Sequence, residues 1–468
     1  MLDAGFLMAE DSDRRVSLAI GGIALIEGPA PNYSQLKSTL AERIRSIPRC
    51  THVLRTQPFD VGAPKWVNDP GFDLTRHVRR VALPQPGDDS ELFRVVADVL
   101  ERRLDRDRPL WECWVIEGLE GDRWAILVKI HHCMADGISA SRILTRLCDD
   151  VDGDAFAPPA GANKPARPHS HLQAVPDLNT HSRINDLWRA ATAVTDAAAR
   201  TVSGAAEIAA GLFRPAAVSS LVGPVTAMRH YRAVRVPLAD VERVCRRFNV
   251  TINDVALAAI TEGFRSVLLH RGEQPRPDSL RTLVPVSVRS PDAVDKPGNR
   301  ISVMLPYLPV EQDDPIEQLR TVHGRLTRTK QGGQRQAGNM VVFAANYIPF
   351  MLSSWVIRLV TRLPQRGIVT LATNVPGPRR PLQIMGRKVE RLLPIPPIAL
   401  RLRTGVAVLS YADDLVFGIT ADYDAAPDVD KLADGIETAV ARLEALSQDS
   451  VLLFAKSPGD DAGRIAAR

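Results

Sequence analysis

The sequence predicts a mixed α/β protein that is divided into two parts. Strand-like and helix-like patterns alternate in the first third of the chain, and the alternation resumes from Ala233 after a stretch rich in proline and alanine. The chain has 468 residues, of which 45% are hydrophobic and 24% charged, so it can bury more than one core. This composition excludes disordered and fibrous proteins.

The elements of the first part follow from their apolar periods. In chain order they are a strand at Ser17–Ile26, a helix with Leu36, Leu40 and Ile44 on one face, a helix at Leu92–Leu104, a strand at Glu112–Ile116 and a strand at Trp124–Ile130. Pro109–Trp111 leads into the second of these strands, and its tryptophan is expected to pack in the core.

The middle of the chain separates the two parts. Asp152–Leu178 is rich in proline and is predicted to be an exposed linker, whereas Ile184–Leu212 is rich in alanine and is predicted to be helical. The predicted units are therefore a first half at 1–151, a linker with a connecting helix at 152–232, a second half at 233–457 and a flexible tail at 458–468.

The second half contains one helix start, one strand and one turn with clear signals. Thr251 followed by Asp254 fits a capping box ahead of the apolar run Val255–Ile260. Leu283–Val288 is strand-like, and Asn374–Pro378 is a turn by its proline and glycine content.

Val341–Val360 is the longest mostly apolar segment of the chain. Because it contains Asn346, Pro349 and Arg358, a core helix or a helix face at a membrane surface is favoured over a membrane-spanning helix.

The most informative segment is His131–Gly137, which has the pattern His-His-x-x-x-Asp-Gly at the end of the Trp124–Ile130 strand. A chance match is on the order of one in a thousand for a chain of this histidine content. Side chains alternate along a strand, so His132 shares a face with Ile130 and Val128, and His131 lies on the other face. We therefore expect only His132 to work as a base in an apolar site.

Two other interpretations of the histidine pair stay open. The histidines could be hydrogen-bonded core residues, or they could bind a metal, although divergent neighbours on a strand disfavour a shared ligand set. Asp136 precedes a helical pattern, so it is expected to organise the turn rather than to carry the chemistry.

Several segments in order resemble the bacterial wax ester synthase/diacylglycerol acyltransferase family, part of a wider group of coenzyme A-dependent acyltransferases with a His-x-x-x-Asp core. Besides His131–Gly137, they are Leu2–Leu7, Arg108–Glu112, Thr251–Asp254, Pro285–Arg289, Gly298–Asn299, Asn374–Pro378 and Ile419–Tyr423. The chain departs from the family pattern by starting almost at its first motif and by having Thr373 where serine is common.

The resemblance implies two similar mixed-sheet halves with a tunnel between them, as in the chloramphenicol acetyltransferase-like fold. It implies an O-acyltransferase that moves a long-chain acyl group from acyl-CoA to the hydroxyl of diacylglycerol, and also to long-chain alcohols. Acyl-CoA would be a substrate, so no cofactor and no metal are expected.

The same resemblance implies roles for individual residues. His132 would be the general base, His131 a structural part of the motif, and Gly137 would leave room beside the base. Asp136 would pair with Arg289 across the two halves and hold the histidine turn. Asn253 is a secondary candidate that could donate to an acyl oxygen or to coenzyme A, and Asp254 fits its capping role.

The remaining expectations concern partners and location. The net charge of +5 is modest and its basic residues are scattered, which suits coenzyme A phosphates or an anionic membrane or lipid-droplet surface and not nucleic acid. Five cysteines without a CxxC spacing and the absence of a signal sequence favour the cytoplasm, with contact at the inner membrane face.

Two rival functions also fit parts of the sequence. A condensation-type domain, which joins carrier-bound acyl units, has the same His-His-x-x-x-Asp-Gly core. A catalytically silent lipid-binding scaffold of the same fold would need only the basic balance and the apolar Val341–Val360 face.

Overall fold

The computed structural model of the chain describes residues 2–56, 62, 64–149, 219–287, 301–331, 367–399 and 401–455. Several predictions lie outside these ranges and stay predictions. They concern the linker at 152–178, the alanine-rich helix at 184–212, Gly298–Asn299, the apolar segment Val341–Val360 and the tail at 458–468.

Eight α-helices and fourteen strands are found within the described ranges. The helices are α1 (Leu2–Asp11), α2 (Tyr33–Arg45), α3 (Asp89–Glu101), α4 (Gly137–Arg146), α5 (Leu238–Phe248), α6 (Ile252–His270), α7 (Pro315–Gln331) and α8 (Val429–Ala455). The strands are β1 (Ala19–Glu27), β2 (His52–Arg55), β3 (Lys65–Asn68), β4 (Val78–Ala82), β5 (Trp111–Leu119), β6 (Arg123–His131), β7 (Arg229–Pro237), β8 (Thr282–Ser287), β9 (Ile301–Met304), β10 (Thr370–Val375), β11 (Gln383–Ile384), β12 (Arg387–Ile395), β13 (Thr404–Tyr411) and β14 (Asp414–Asp422).

Two six-stranded mixed sheets form the framework of the protein. The first has the strand order β11-β12-β1-β6-β5-β4, and the second has the order β7-β14-β13-β10-β8-β9. Both sheets contain parallel and antiparallel pairs, such as parallel β4–β5 and antiparallel β1–β6 in the first. The predicted α/β class with two mixed-sheet halves is confirmed.

The first sheet contains two strands from the second part of the chain, β11 and β12, which the sequence did not indicate. β12 lies late in the chain, yet it pairs antiparallel with β1 of the first sheet. At its end, the Pro394 carbonyl accepts a hydrogen bond from the Tyr231 hydroxyl of β7 at 2.9 Å. The second part of the chain therefore completes the first sheet. The domain boundaries that the sequence predicts stay a prediction.

Strand β6 is buried on both faces, as its apolar run predicts. Ala125 and Leu127 join the core cluster that includes residues of α3, whereas Ile126, Val128 and Ile130 join the cluster on the opposite side. This burial fixes the direction of each side chain at the end of β6. If the register of β6 shifted by one residue, the side chains of each face would point into the other core cluster.

Two helices of the first part form as the sequence predicts, but one of them is shifted toward the start of the chain by three residues. Leu36, Leu40 and Ile44 are the buried face of α2, and Asn32 caps its start by accepting from the Ser34 amide at 2.9 Å. Helix α3 ends at Glu101, not at Leu104. At this end the buried ammonium of Lys129 on β6 donates to the Val99 carbonyl at 2.7 Å and to the carbonyl of Arg102, whose backbone is extended.

The predicted turn at Asn374–Pro378 is partly wrong. Asn374 and Val375 continue β10, where they pair in parallel with Val408 and Leu409 of β13. The turn starts only at Pro376, because pairing with β13 keeps Asn374 and Val375 in the strand, and this partner is not visible in the local sequence.

None of the helices in the described ranges has the length and the apolar content needed to cross a bilayer.

Gly418 provides a test of the contact between β12 and the second sheet. A Cβ at this position would lie 1.7 Å from the Pro394 carbonyl oxygen. We expect Gly418→Ala to lower the free energy of unfolding by about 3 kcal/mol or more, because backbone on both sides would have to move.

Gly324 is the matched control, because it lies inside α7 and a Cβ there would meet nothing within 4 Å. Gly324→Ala should stabilise the helix by roughly 0.5–1 kcal/mol. Urea unfolding of both variants checks the pair, and equal midpoints would contradict the proposed packing constraint.

Candidate active site

His132 follows the last residue of β6 and faces a cavity. Its backbone amide donates to the Leu18 carbonyl at 2.9 Å, which continues the pairing between β6 and the chain leading into β1. Val128 and Ile130 line the cavity together with His132, as the alternation of the strand predicts. The end of a strand that is buried on both faces thus fixes the position of the imidazole.

The cavity has a volume of about 280 Å³ and lies where the two sheets meet. One wall comes from α4 and from β12, β1 and β6 of the first sheet, and the other comes from β8, β10 and β13 of the second sheet. Among the described residues the lining is mostly aliphatic residues and prolines, and its polar members are His132, Asp136, Ser141, Thr373 and Asn374. An apolar cavity with a few placed polar groups is typical of a binding site for a small apolar molecule. A continuous tunnel through the protein stays a prediction.

Asp136 organises the turn after His132. It is the N-cap of α4, and its Oδ1 accepts a hydrogen bond from the Ser139 amide at 2.9 Å. The partner predicted for it, Arg289, lies outside the described residues, so the ion pair across the halves stays a prediction.

Gly137 allows α4 to approach the second sheet closely. A Cβ on Gly137 would lie 2.8 Å from Cγ2 of Val375 at the end of β10. The glycine of the motif therefore brings the histidine turn of the first sheet against a strand of the second.

His131 is buried on the opposite face of β6 and has the contacts of a structural residue. Its Nδ1 accepts from the Cys133 amide at 3.1 Å, so the ring proton lies on Nε2. Nε2 in turn lies 3.4 Å from Oε2 of Glu10, and both side chains are almost fully buried. Within the described structure, His131 thus ties the histidine turn to α1.

Glu10 is a buried carboxylate with three partners. Its Oε1 accepts from the Leu18 amide at 3.0 Å, and its Oε2 accepts from Arg106 at 2.8 Å and faces His131. Burial alone would raise the pKa of Glu10, but the contacts with His131 and Arg106 and the hydrogen bond from the Leu18 amide outweigh it and lower the pKa to about 2. Glu10 is therefore ionised at neutral pH.

Helix α1 contacts both histidines through residues four positions apart. The ring of Phe6 stacks on that of His132, with centroids 4.2 Å apart and planes inclined by 20°. Glu10 lies one turn further along the same face and faces His131. The sequence analysis included Phe6 in the Leu2–Leu7 segment but assigned no role to Phe6 or to Glu10. An acidic residue one turn after an aromatic residue in a helix with few other charges was the signal available.

The pKa of His132 fits a proton acceptor. Burial in the apolar surroundings lowers the pKa to about 4, and the charge of Asp136 opposes this shift only in part. The imidazole is consequently neutral at physiological pH and can accept a proton from a bound hydroxyl.

The Asn253–Asp254 pair lies on the other side of the cavity, at the start of α6. Thr251 and Asp254 form the predicted capping box, and Asp254 Oδ2 also lies 2.8 Å from Nδ1 of His323 on α7. Asn253 is not among the described residues that line the cavity, but its Oδ1 lies 3.5 Å from Nδ2 of Asn374, which does. Asp254 is therefore a helix-capping residue, whereas Asn253 is connected to the cavity wall through Asn374.

Within the ranges that the structure describes, no group of three histidine, cysteine or acidic side chains is arranged to hold a metal ion. The expectation that neither metal nor cofactor takes part stays a prediction.

Solved structures with this arrangement of sheets define the class. A wax ester synthase/diacylglycerol acyltransferase from Marinobacter aquaeolei VT8 matches with a TM-score of 0.66 and 26% identity, over 96% of this chain and 98% of that one. The first condensation domain of the calcium-dependent antibiotic synthetase matches with a TM-score of 0.60 over 96% and 95% of the two chains, and at 17% identity it shows the fold alone. The chain thus has the fold that these acyltransferases and condensation domains share.

The sequence places the chain more narrowly within this class. A profile of the wax ester synthase/diacylglycerol acyltransferase catalytic domain matches residues 1–256, and one of the WS/DGAT C-terminal domain matches residues 297–444. A probable diacylglycerol O-acyltransferase of Mycobacterium tuberculosis (strain ATCC 25618 / H37Rv) is 59% identical over 447 residues, which are 96% of each chain. The chain belongs to the wax ester synthase/diacylglycerol acyltransferase family, and it is an acyltransferase.

Glu10→Gln tests whether the buried carboxylate holds the histidine turn. We expect a loss of stability of up to about 3 kcal/mol at pH 7, since that is the free energy equivalent of the lowered pKa. A displaced His132 should also lower kcat, by up to about a hundredfold.

The stability effect has a defined pH dependence. The carboxylate contributes its stability in full above its unfolded pKa near 4.5, and the contribution is lost as the pH falls toward about 2. Urea unfolding of wild type and Glu10→Gln should therefore converge over that range. Asp11→Asn is the control, because this exposed residue pairs with the same Arg106 and should change stability by less than about 1 kcal/mol. Equal effects of the two variants would contradict the role given to Glu10.

Proposed function

We propose that this protein transfers a long-chain acyl group from acyl-CoA to the free hydroxyl of diacylglycerol, which yields triacylglycerol. Long-chain alcohols are a second class of acceptor and would give wax esters. The observation that carries the proposal is a neutral imidazole at the end of β6, in an apolar cavity between the two sheets. The family of the chain gives the type of substrate.

His132 would act as the general base. As the acceptor oxygen attacks the thioester carbonyl carbon, the ring would take the hydroxyl proton, most directly through Nε2, because Nδ1 is buried. The tetrahedral intermediate then breaks its carbon–sulfur bond, and the proton passes from the imidazolium to the thiolate of coenzyme A. The products are an ester and free coenzyme A, so no acyl-enzyme and no oxidant are needed.

The surroundings of His132 suit this step. Phe6 keeps the ring in one plane, and the Leu18 carbonyl holds the His132 backbone amide. A thioester is already activated, so deprotonation and positioning are the main tasks of the protein. In this view Asp136 and His131 keep the turn in place and do not exchange protons with the substrate.

The cavity lining supports an apolar substrate on both sides of the reacting atoms. Ile20 and Ile395 line the wall of the first sheet, and Leu371 lines that of the second. Acyl-CoA as the donor, with no further cofactor, and a cytoplasmic enzyme that contacts the inner membrane face or a lipid droplet complete the proposal. The scattered positive charge, +5 overall, suits both the phosphates of coenzyme A and such a surface.

The rival functions receive less support. A condensation-type activity would use carrier-bound acyl groups, and the likeness to a condensation domain is one of fold. A silent scaffold would not need His132 to be held neutral between a stacked ring and a backbone hydrogen bond. Vesicle binding without any acyl-CoA-dependent thiol release would favour the scaffold.

His132→Ala tests the proposed base. We expect kcat for thiol release from palmitoyl-CoA with dioleoylglycerol to fall by about a hundredfold to ten-thousandfold, because a positioned base is lost. His270→Ala is the control, since this histidine is exposed at the end of α6. A His132→Ala enzyme with wild-type turnover would rule out the proposed mechanism.

The pH profile of kcat/KM gives an independent test of the base. Protonation of His132 removes the acceptor, so activity should fall only as the pH drops toward about 4 and should be nearly constant between about 5.5 and 8. Coenzyme A release is measured in quenched samples over short times. An acid limb with its midpoint near 6.5, the value of an exposed histidine, would contradict the buried neutral base.

A further inference from the structure

Asn374 is a polar residue that the second sheet contributes to the cavity wall. It lies at the end of β10, opposite the wall that carries His132. Since most of the lining is apolar, a primary amide at this place can make a directed contact that its aliphatic neighbours cannot make.

The backbone around Asn374 is held on several sides. Its strand pairs in parallel with β13, where Asn374 is opposite Val408. In the following loop the Gly377 amide donates to Oγ of Ser410 at 3.2 Å, and a Cβ on Gly377 would lie 2.1 Å from the Ser410 carbonyl oxygen. The loop therefore has to run against β13, and this contact fixes where β10 ends.

The end of β10 lies against the histidine turn of the first half. Val375, the neighbour of Asn374, approaches Gly137 so closely that only a glycine fits there. Gly137 follows Asp136, which caps the helix after His132. The amide of Asn374 and the imidazole of His132 therefore belong to one site and come from opposite sheets.

Asn253 contacts Asn374 from behind the cavity wall. Its Oδ1 accepts from Nδ2 of Asn374 at 3.5 Å, which is the outer limit for such a bond and leaves room for it to shorten when substrate binds. In this arrangement the NH2 group of Asn374 faces the carbonyl oxygen of Asn253, and its second N–H is left for another acceptor.

Asn253 itself is held by the start of α6. Thr251 and Asp254 cap the helix on either side of it, and Asp254 also bonds to His323 on α7. This gives a chain of contacts from α7 through the capping box to Asn253 and on to the cavity.

From this arrangement we infer that Asn374 donates its second N–H to the oxygen of the acyl carbonyl as that oxygen becomes negative, and that Asn253 is a positioning residue that acts through Asn374. An amide N–H that is already oriented stabilises a developing oxyanion without reorganisation in the reacting complex. The inference rests on the proposed acyl transfer, and it replaces a direct role for Asn253 with an indirect one.

A double-mutant cycle tests the inference with the full-length protein. Asn374→Ala should lower kcat and kcat/KM together by about a hundredfold to a thousandfold, with KM little changed, because the contact forms only in the transition state. Asn253→Ala should cost about tenfold, the factor for losing one orienting hydrogen bond. The double variant should be within about twofold of Asn374→Ala alone, because Asn253 has nothing left to orient.

Two further readouts separate catalysis from packing. The acyl carbonyl is common to every reaction of the enzyme, so the loss in Asn374→Ala should be the same with dioleoylglycerol and with hexadecanol as acceptor. Asn374→Asp keeps the shape but replaces the N–H donor with a carboxylate oxygen, so it should lose at least as much activity while its melting temperature stays near that of wild type. Asn68→Ala, an exposed position on β3, is the control for asparagine loss.

Each result has a defined meaning. An active Asn374→Ala or Asn374→Asp enzyme, within threefold of wild type, would overturn the donor role. Effects of Asn374→Ala and Asn253→Ala that multiply in the double variant would overturn the indirect role of Asn253. An inactive wild-type protein, or an active His132→Ala variant, would instead refute the proposed function, so the two failures are distinguishable.

Discussion

The buried carboxylate of Glu10 is the interaction on which the geometry of the site depends. It binds the Leu18 amide at the entry to β1 and Arg106 beyond α3, and it faces His131 at the end of β6. The Leu18 carbonyl in turn holds the backbone amide of His132. A buried charge is tolerated only when its partners satisfy it, so the positions of α1, β1 and β6 are fixed relative to one another. These contacts therefore determine the position of His132.

The second constraint is that the two sheets have to close around one cavity. Strand β12 comes from the second part of the chain and completes the first sheet, and Gly418 gives it room to cross β14. Gly137 brings the histidine turn against β10. A substrate in this cavity would lie between His132 from one sheet and polar residues from the other, surrounded by mostly apolar walls. The apolar cavity also lowers the pKa of His132, because burial favours the neutral ring over the charged one. A neutral ring is the form that the proposed reaction needs.

Much of the local structure could be predicted because it depends on residues close in sequence. The period of β6, the buried face of α2 and the capping box at Thr251 each follow from neighbours within a few positions. The errors lie where a distant group intervenes. Helix α3 ends at Glu101, where Lys129 on β6 binds a carbonyl of its last turn, and Asn374 and Val375 remain in a strand because β13 pairs with them. Neither partner is visible in the local pattern.

For the site, the sequence by itself determined the motif, the face on which His132 lies and the cap formed by Asp136, because alternation along a strand and capping at a helix start are local properties. It also carried enough ordered segments to indicate the family. Only the tertiary structure decided that Phe6 and Glu10 hold the two histidines and that Asn374, rather than Asn253, reaches the cavity. These contacts join residues more than a hundred positions apart, and burial, direction and distance between such residues are set by how the sheets pack.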